Sequence, residues 1–233
     1  MTTSAIKPHI LIRTYSGDKE WLRYCLASIA KHCPDIGLTV VAPRGNAMGC
    51  ECVYVDPVIP EGYVDQQYTK LRANLYVPED ATHVVHVDSD CLMLRDLGGL
   101  FHEDKPIMLK TPWHLIDDQA SVWRGITARY VGFDPEFEYM RRIPLVYPIG
   151  IYAQLDSYLT NLHGPWEEWF PKIKGRKFSE FNILGAYADK FMADQFHWIN
   201  TATDPLPELV ARQAWSWGGI DAVRKEWDEL MTR

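Results

Sequence analysis

Over the first hundred residues, short apolar runs alternate with segments whose apolar positions recur every three or four residues. His9-Ile10-Leu11-Ile12-Arg13-Thr14 reads as a buried strand. Trp21, Leu22, Cys25, Leu26 and Ile29 then fit one helical face, with Asp18 as cap and the helix running to His32 before Pro34 and Gly37. Leu38 to Ala42 and Cys52 to Val55 read as a second and a third strand. A second helix is expected from a cap at Asp65 through Tyr76, with Tyr68, Leu71 and Leu75 on one face and Pro78 as its stop. His83 to Val87 is the fourth strand, followed by Asp88-Ser89-Asp90 and the apolar run Cys91 to Leu94. Strands separated by helices predict parallel βαβ units, hence a Rossmann-like, mostly parallel twisted α/β sheet flanked by helices.

Beyond residue 100 the pattern changes. Ile107 to Lys110 is expected as one further strand, and Asp134-Pro135 as the opening of a short helix. Ile151, Leu155, Tyr158, Leu159 and Leu162 form a helical face. Ser179 opens another helix, Phe196 to Ile199 reads as a strand, and a last helix starts near Gly219. With no internal repeat and no linker rich in Gly and Ser, residues 1–233 read as a single domain with a helix-rich C-terminal half.

Composition removes several classes. Hydrophobic residues make up 47% and charged residues 24%, which excludes collagen-like, coiled-coil and disordered chains. Lys and Arg number 24 against 31 Asp and Glu, and the net charge of −7 argues against a chain devoted to holding phosphate backbones. Cys25, Cys33, Cys50, Cys52 and Cys91 are odd in number and contain no CxxC pair, so they read as reduced thiols. No apolar run approaches the roughly 18 residues of a membrane span. Met1 to Pro8 lacks a signal-peptide pattern, and the expectation is a cytoplasmic protein with no membrane span.

Asp88-Ser89-Asp90 carries the chemistry. It follows Val84-Val85-His86-Val87 and so sits at the carboxyl end of an apolar strand, where open α/β sheets bind ligands. Residues i and i+2 of an extended segment share a side, so both carboxylates point into one crevice. Two hard oxygen donors suit Mn²⁺ or Mg²⁺, an ion that bridges phosphate oxygens and stabilises a diphosphate leaving group. His83 and His86, three apart on a strand, face opposite sides and make no metal pair.

Three segments carry a family resemblance. Thr14-Tyr15-Ser16-Gly17-Asp18 resembles the nucleotide-side loop of GT-A fold glycosyltransferases, as does Gln66-Gln67-Tyr68-Thr69-Lys70-Leu71 ahead of the HVVHVDSD strand. Ser179-Glu180-Phe181-Asn182 is similar to a segment of small GT-A proteins of bacteria and bacteriophages. The resemblance is good over residues 9–110 and loose beyond. It implies a nucleotide-sugar donor of the UDP kind, a metal held by the D-x-D motif, and sugar transfer to an acceptor hydroxyl. It further implies Asp90 as a direct metal ligand, Asp88 on metal or ribose, and Ser89 near the ribose. Thr14, Tyr15 and Asp18 would line the base and ribose pocket, although Tyr15 packing on the sheet edge and Asp18 as a plain helix cap fit the residues equally. Lys70, and with it Arg72, would face the diphosphate or sugar; the plain alternative is a solvated helix charge. His197 would complete the metal site, or is simply packed. An inverting transfer needs a carboxylate base, for which Glu180 at a helix start is the candidate, ahead of Asp156 and Asp194. A retaining transfer needs none.

Other functions fit less of the chain. A nucleotidyltransferase would want a Gly-rich, basic phosphate loop, and Arg13-Thr14-Tyr15-Ser16-Gly17 has one Gly. A carbohydrate-binding module would use the nine tryptophans but not the D-x-D triplet. The acceptor is open between a protein, a glycan, a small molecule and a modified DNA base. Lys172-Ile173-Lys174-Gly175-Arg176-Lys177 would serve a DNA strand, or is a solvated loop. The GT-A resemblance implies that residues 9–110 bind the donor and residues 111–233 the acceptor, and eight of the nine tryptophans follow the triplet, on the acceptor side. Trp166 and Trp169 read as a packing pair and Trp227 as a helix-face residue. Trp113, Trp215 and Trp217 are the candidates for stacking on the acceptor.

Overall fold

The structure is a computed structural model that describes residues 5–175 and 177–232. From the N-terminal side come β1 (Pro8–Arg13), α1 (Lys19–His32), β2 (Gly37–Pro43), β3 (Val53–Val55), α2 (Gly62–Leu71) and β4 (His83–His86). β5 (Cys91–Met93), β6 (Phe101–His102), β7 (Lys105–Pro112), α3 (Asp118–Val131), β8 (Phe137–Glu138) and β9 (Leu145–Pro148) follow. The chain continues through α4 (Gly150–His163), α5 (Trp166–Trp169), α6 (Glu180–Phe191), β10 (His197–Asn200), β11 (Ala211–Gln213) and α7 (Arg224–Thr232).

The central sheet has the order β3-β2-β1-β4-β9. The first four strands are parallel, and β9 closes the edge antiparallel to β4. Helices cover both faces, so the strands are apolar almost throughout: Ile10, Leu11, Ile12, Val40, Val41, Ala42, Val84 and Val85 are all buried. The order positions the site. From β1 the chain moves outward to β2 and β3, then returns to lay β4 on the other side of β1. Strand order reverses between β1 and β4, and the carboxyl ends of such a pair are where open α/β sheets take ligands. The segments 14–18 and 87–90 leave from those two ends.

A second sheet, β10-β7-β6 with β8 on β7, lies beside the first. β11 pairs antiparallel with β5, and Gln213 stands opposite Cys91. This pairing returns the C-terminal segment to the residue after Asp90. The main core joins the sheet to residues of α1, α2, α4 and α6. A smaller cluster of Trp21, Tyr24, Leu92, Ile220 and Trp227 locks α7 onto α1, with the two indoles edge to face at 5.0 Å. Among the described residues, no helix is long and apolar enough to cross a membrane.

Several local expectations need correction. α2 starts at Gly62, and Asp65 lies inside it. Asp65 is buried, pairs with Arg13 at 2.8 Å and accepts from the Val58 N–H at 2.8 Å, so it orders the preceding loop instead of the helix start. Leu75 is exposed beyond the end of α2. Asp134-Pro135 opens no helix, because Asp134 is paired with Arg124 and β8 begins three residues later. α7 begins at Arg224, after a single 3₁₀ turn at Ile220–Ala222. Asp18 precedes α1 but makes no side-chain cap bond. Ser179 does cap α6, accepting from the Asn182 N–H.

Candidate active site

Asp88 and Asp90 lie just past the carboxyl end of β4, where the Asp88 carbonyl accepts from the Cys91 N–H at 3.0 Å and turns the chain into β5. Gln213 Nε2 donates to Asp88 Oδ2 at 3.3 Å and to Asp90 Oδ1 at 3.2 Å. One amide thus touches both carboxylates, which places them side by side. The Ser216 N–H donates to Asp90 Oδ2 at 3.0 Å, and the Ala214 N–H donates to the Asp90 carbonyl at 2.9 Å. Asp90 is 8% exposed. Burial, and then the charge of Asp88, push its carboxyl up to about 7 against the bonds from Ser216 and Gln213.

Around this pair stand residues from the β1 side. Ser89 Oγ donates to Asp18 Oδ2 at 3.0 Å, which explains why Asp18 does not cap α1. Burial raises the Asp18 pKa; the Ser89 bond opposes that shift and the Asp88 charge adds to it. Thr14 is buried, and its Oγ1 has no hydrogen-bond partner. Tyr15 is half exposed and its ring lies over Gly17, where a Cβ would overlap it. Asn46 Oδ1 accepts from the Ser16 N–H at 2.8 Å and ties this loop to the turn after β2.

Below the triplet, α2 and α6 contribute a buried charge cluster. Lys70 Nζ donates to Asp88 Oδ1 at 2.7 Å and lies 3.0 Å from Glu180 Oε1, with the Phe181 ring centroid 4.8 Å away. Burial works against the Lys70 charge, but the two carboxylates outweigh it and hold its pKa above the ordinary lysine value. Burial raises Glu180, and Lys70 partly offsets this. The Glu180 N–H donates to Gln67 Oε1 at 3.2 Å.

The structure thus brings Asp18, Ser89, Asp88, Asp90, Lys70 and Glu180 together, with Thr14 and Tyr15 on the adjoining loop. Some expected roles do not fit. The Lys70 ammonium is directed at two carboxylates of its own chain instead of outward to a diphosphate. Glu180 is buried against Lys70 and does not present an open carboxylate. Arg72 donates to the Tyr68 hydroxyl at 2.6 Å. Trp113 is buried and its Nε1 donates to the Pro135 carbonyl at 2.9 Å, so it is a packing residue and not an acceptor platform. The His197 ring lies 4.1 Å from that of His102. Among the described residues no group of three or more His, Cys, Asp and Glu is placed to hold an ion.

Trp166 and Trp169 are buried with rings 4.9 Å apart, and Trp227 is fully enclosed. Trp215 and Trp217, by contrast, are 57% and 80% exposed and flank Ser216. Of the basic segment, Lys172, Lys174 and Lys177 are exposed, and Arg176 lies outside the described residues. His83 and His86 have different surroundings: His83 packs on Phe101, while His86 pairs with the Tyr152 hydroxyl. Gln213 and Ser216 carry no sequence signal of their own. Gln213 lies 123 positions from Asp90, and only the β11–β5 pairing brings them together.

No family model matches the chain, and a search of curated proteins finds no match. Solved structures do match in shape. The galactosyltransferase LgtC, in complex with donor and acceptor sugar analogues, aligns with a TM-score of 0.55 over 96% of this chain and 95% of that one, at 12% identity. An active-site mutant of LgtC aligns with a TM-score of 0.51 over 95% and 94%, at 13% identity. At such identity the likeness is one of fold: this chain has the mainly parallel α/β sheet flanked by helices of the GT-A glycosyltransferases.

Proposed function

We propose that the chain is a metal-dependent glycosyltransferase, moving a sugar from a nucleotide-sugar donor of the UDP class to an acceptor hydroxyl. The observation that supports this reading is the convergence of Asp88 and Asp90 on one amide, at the crevice between β1 and β4. The donor set suits Mn²⁺ or Mg²⁺: it is all hard oxygen, and its one shared partner is a neutral side chain that an ion can displace. Ions of this kind need only one or two carboxylates when substrate phosphates and water supply the remaining ligands. Asp88 and Asp90 would hold the ion, which when bound supplies Lewis-acid stabilisation of a diphosphate leaving group.

The other residues take roles by position. Thr14, Tyr15, Asp18 and Ser89 border the crevice on the β1 side and would receive the base and ribose, with the unpartnered Thr14 hydroxyl as one available group. Residues 9–110 form the donor half in this reading, and residues 111–233 the acceptor half. Trp215 and Trp217 are exposed beside Asp90 and suit stacking on a sugar ring or base. The free thiols at Cys25, Cys33, Cys50, Cys52 and Cys91 fit a reducing, cytoplasmic setting.

Thermal shift with UDP-, GDP- and CMP-sugars, with and without Mn²⁺, tests the reading, since a ligand at a hundred times its Kd adds about 2.7 kcal/mol of stability. One donor class should stabilise the protein in the presence of Mn²⁺. Asp90→Ala should lose that shift and the Mn²⁺-dependent hydrolysis of the donor while keeping its circular dichroism spectrum. Absence of any Mn²⁺-dependent shift in the native protein overturns the proposal.

A further inference from the structure

We infer that Glu180 is a positioning residue, not a base, and that it sets the affinity of the Asp88–Asp90 pair for a divalent cation by sharing the Lys70 ammonium. The inference rests on the proposed reading that this pair holds the ion.

Three charges stand in a row: Glu180, Lys70 and Asp88. The Lys70 and Glu180 side chains are each 6% exposed and Asp88 24%, so the row runs from the interior to the crevice. The two carboxylate oxygens of Asp88 are divided. Oδ1 belongs to Lys70, and Oδ2 faces the displaceable Gln213 amide. A lysine paired with Asp88 alone would cancel the charge that a cation needs. With Glu180 included, two carboxylates share one ammonium, and the row keeps a net charge of about −1 at low local dielectric. Asp88 is the only member of the row that reaches the crevice to any extent, so it presents that charge to an ion.

Local structure holds Glu180 in this role. The Ser179 cap fixes the first turn of α6, and the Glu180 N–H is held by Gln67 from α2, the helix that carries Lys70. The Phe181 ring packs against the ammonium. A general base must come within hydrogen-bond reach of the hydroxyl it deprotonates. Glu180 lies behind Lys70, while an acceptor would approach from the crevice side.

Mn²⁺ titration followed by the electron paramagnetic resonance of free Mn²⁺, with no donor present, tests the inference apart from activity. Glu180→Gln brings the row to neutrality and should weaken Mn²⁺ binding by about tenfold, within the usual range for coupling between groups that do not touch. Lys70→Gln leaves two uncompensated carboxylates and should bind at least as tightly as the native protein. The double variant Lys70→Gln/Glu180→Gln restores the native charge and should bind within about threefold of it, short of the roughly 5-fold threshold of such coupling. Native-like affinity in Glu180→Gln overturns the inference, as does weaker binding in Lys70→Gln than in the double variant. Should Glu180→Gln fail to fold, Lys70→Gln against the double variant decides, and equal affinity of the two overturns the inference. The metal reading itself fails separately, through a native protein that binds no Mn²⁺ or an Asp90→Ala variant that binds it as well.

Discussion

Asp65 occupies a position where an exposed helix would carry a solvated charge. Here it accepts from Arg13 Nη2 at 2.8 Å and from the N–H groups of Val58 and Ile59 at 2.8 and 3.3 Å. Arg13 ends β1 and also donates to the Thr14 carbonyl at 2.5 Å, so the pair sets the path of the loop that borders the crevice. Both side chains are almost fully enclosed. A buried pair adds little net stability, because desolvation offsets the attraction, but removing one partner strands the other charge. Asp65→Ala should therefore cost about 3–5 kcal/mol in urea unfolding. The companion variant Arg13→Met/Asp65→Leu should recover most of that loss. A single-variant loss below about 1 kcal/mol would mean that the pair behaves like an exposed one.

The element that completes the site is the segment from β11 to α7. Its first end is fixed by pairing with β5, and its last by the packing of α7 on α1. Arg224 donates to Glu20 at 2.5 Å and to Asp221 at 2.7 Å, and the Tyr24 hydroxyl donates to Asp228 at 2.6 Å. These bonds are largely exposed, so the enclosed Trp227 carries most of the anchoring. Between the ends, Gly219 at φ 77° turns the chain toward α7. Trp227→Ala should cost about 3–5 kcal/mol. It should also speed hydrogen exchange at the Ser216 N–H, which the anchored segment holds on Asp90. Unchanged exchange at Ser216 in that variant would show that β11 alone positions the segment.

At the scale of the molecule, two opposed sets of buried groups shape the response to pH. Burial pushes His9, His83 and His86 down, His86 to about 3, with the Lys70 charge adding to the effect. Burial pushes Asp18, Asp90, Glu138 and Glu180 up. The unfolded chain takes up imidazole protons below about 6.5 that the native sheet refuses, so the histidines weaken the fold as pH falls. The raised carboxyls act in the other direction, since they take protons in the native state first. His86→Gln, which can keep a bond to Tyr152, removes the largest histidine contribution alone. Between pH 7.5 and pH 5 the native protein should lose about 2 kcal/mol relative to this variant, from 1.5 pH units below the unfolded imidazole pKa. Urea midpoints of the two proteins at both pH values check this, and a constant difference refutes it.

Patterns local in the chain determined much of the fold. The four parallel strands fall within one or two residues of their apolar runs, and the βαβ alternation predicts the mainly parallel sheet. The i, i+2 argument for Asp88 and Asp90 did not hold: the strand ends at His86, Ser89 and Asp90 lie in a turn closed by the Cys91 N–H on the Asp88 carbonyl, and the Gln213 amide joins the two carboxylates. The apolar run located the end of β4, and the Ser179 cap was legible locally. Elements with weak local signals were not. α3 holds Gly125 and the β-branched Val122, Ile126, Thr127 and Val131, and β6 and β8 are two residues long. The surroundings of each side chain belonged to tertiary structure alone. Trp113 and Trp217 are the same residue type, yet one is buried on the Pro135 carbonyl and the other exposed beside the crevice. Lys70 and Glu180 come from helices 110 positions apart in the chain, and Gln213 from a strand beyond both. Hydrophobic periodicity records the backbone conformation and the face a residue takes. The charges a buried ammonium meets depend on which distant segments pack there, and these partners set the chemistry of the site.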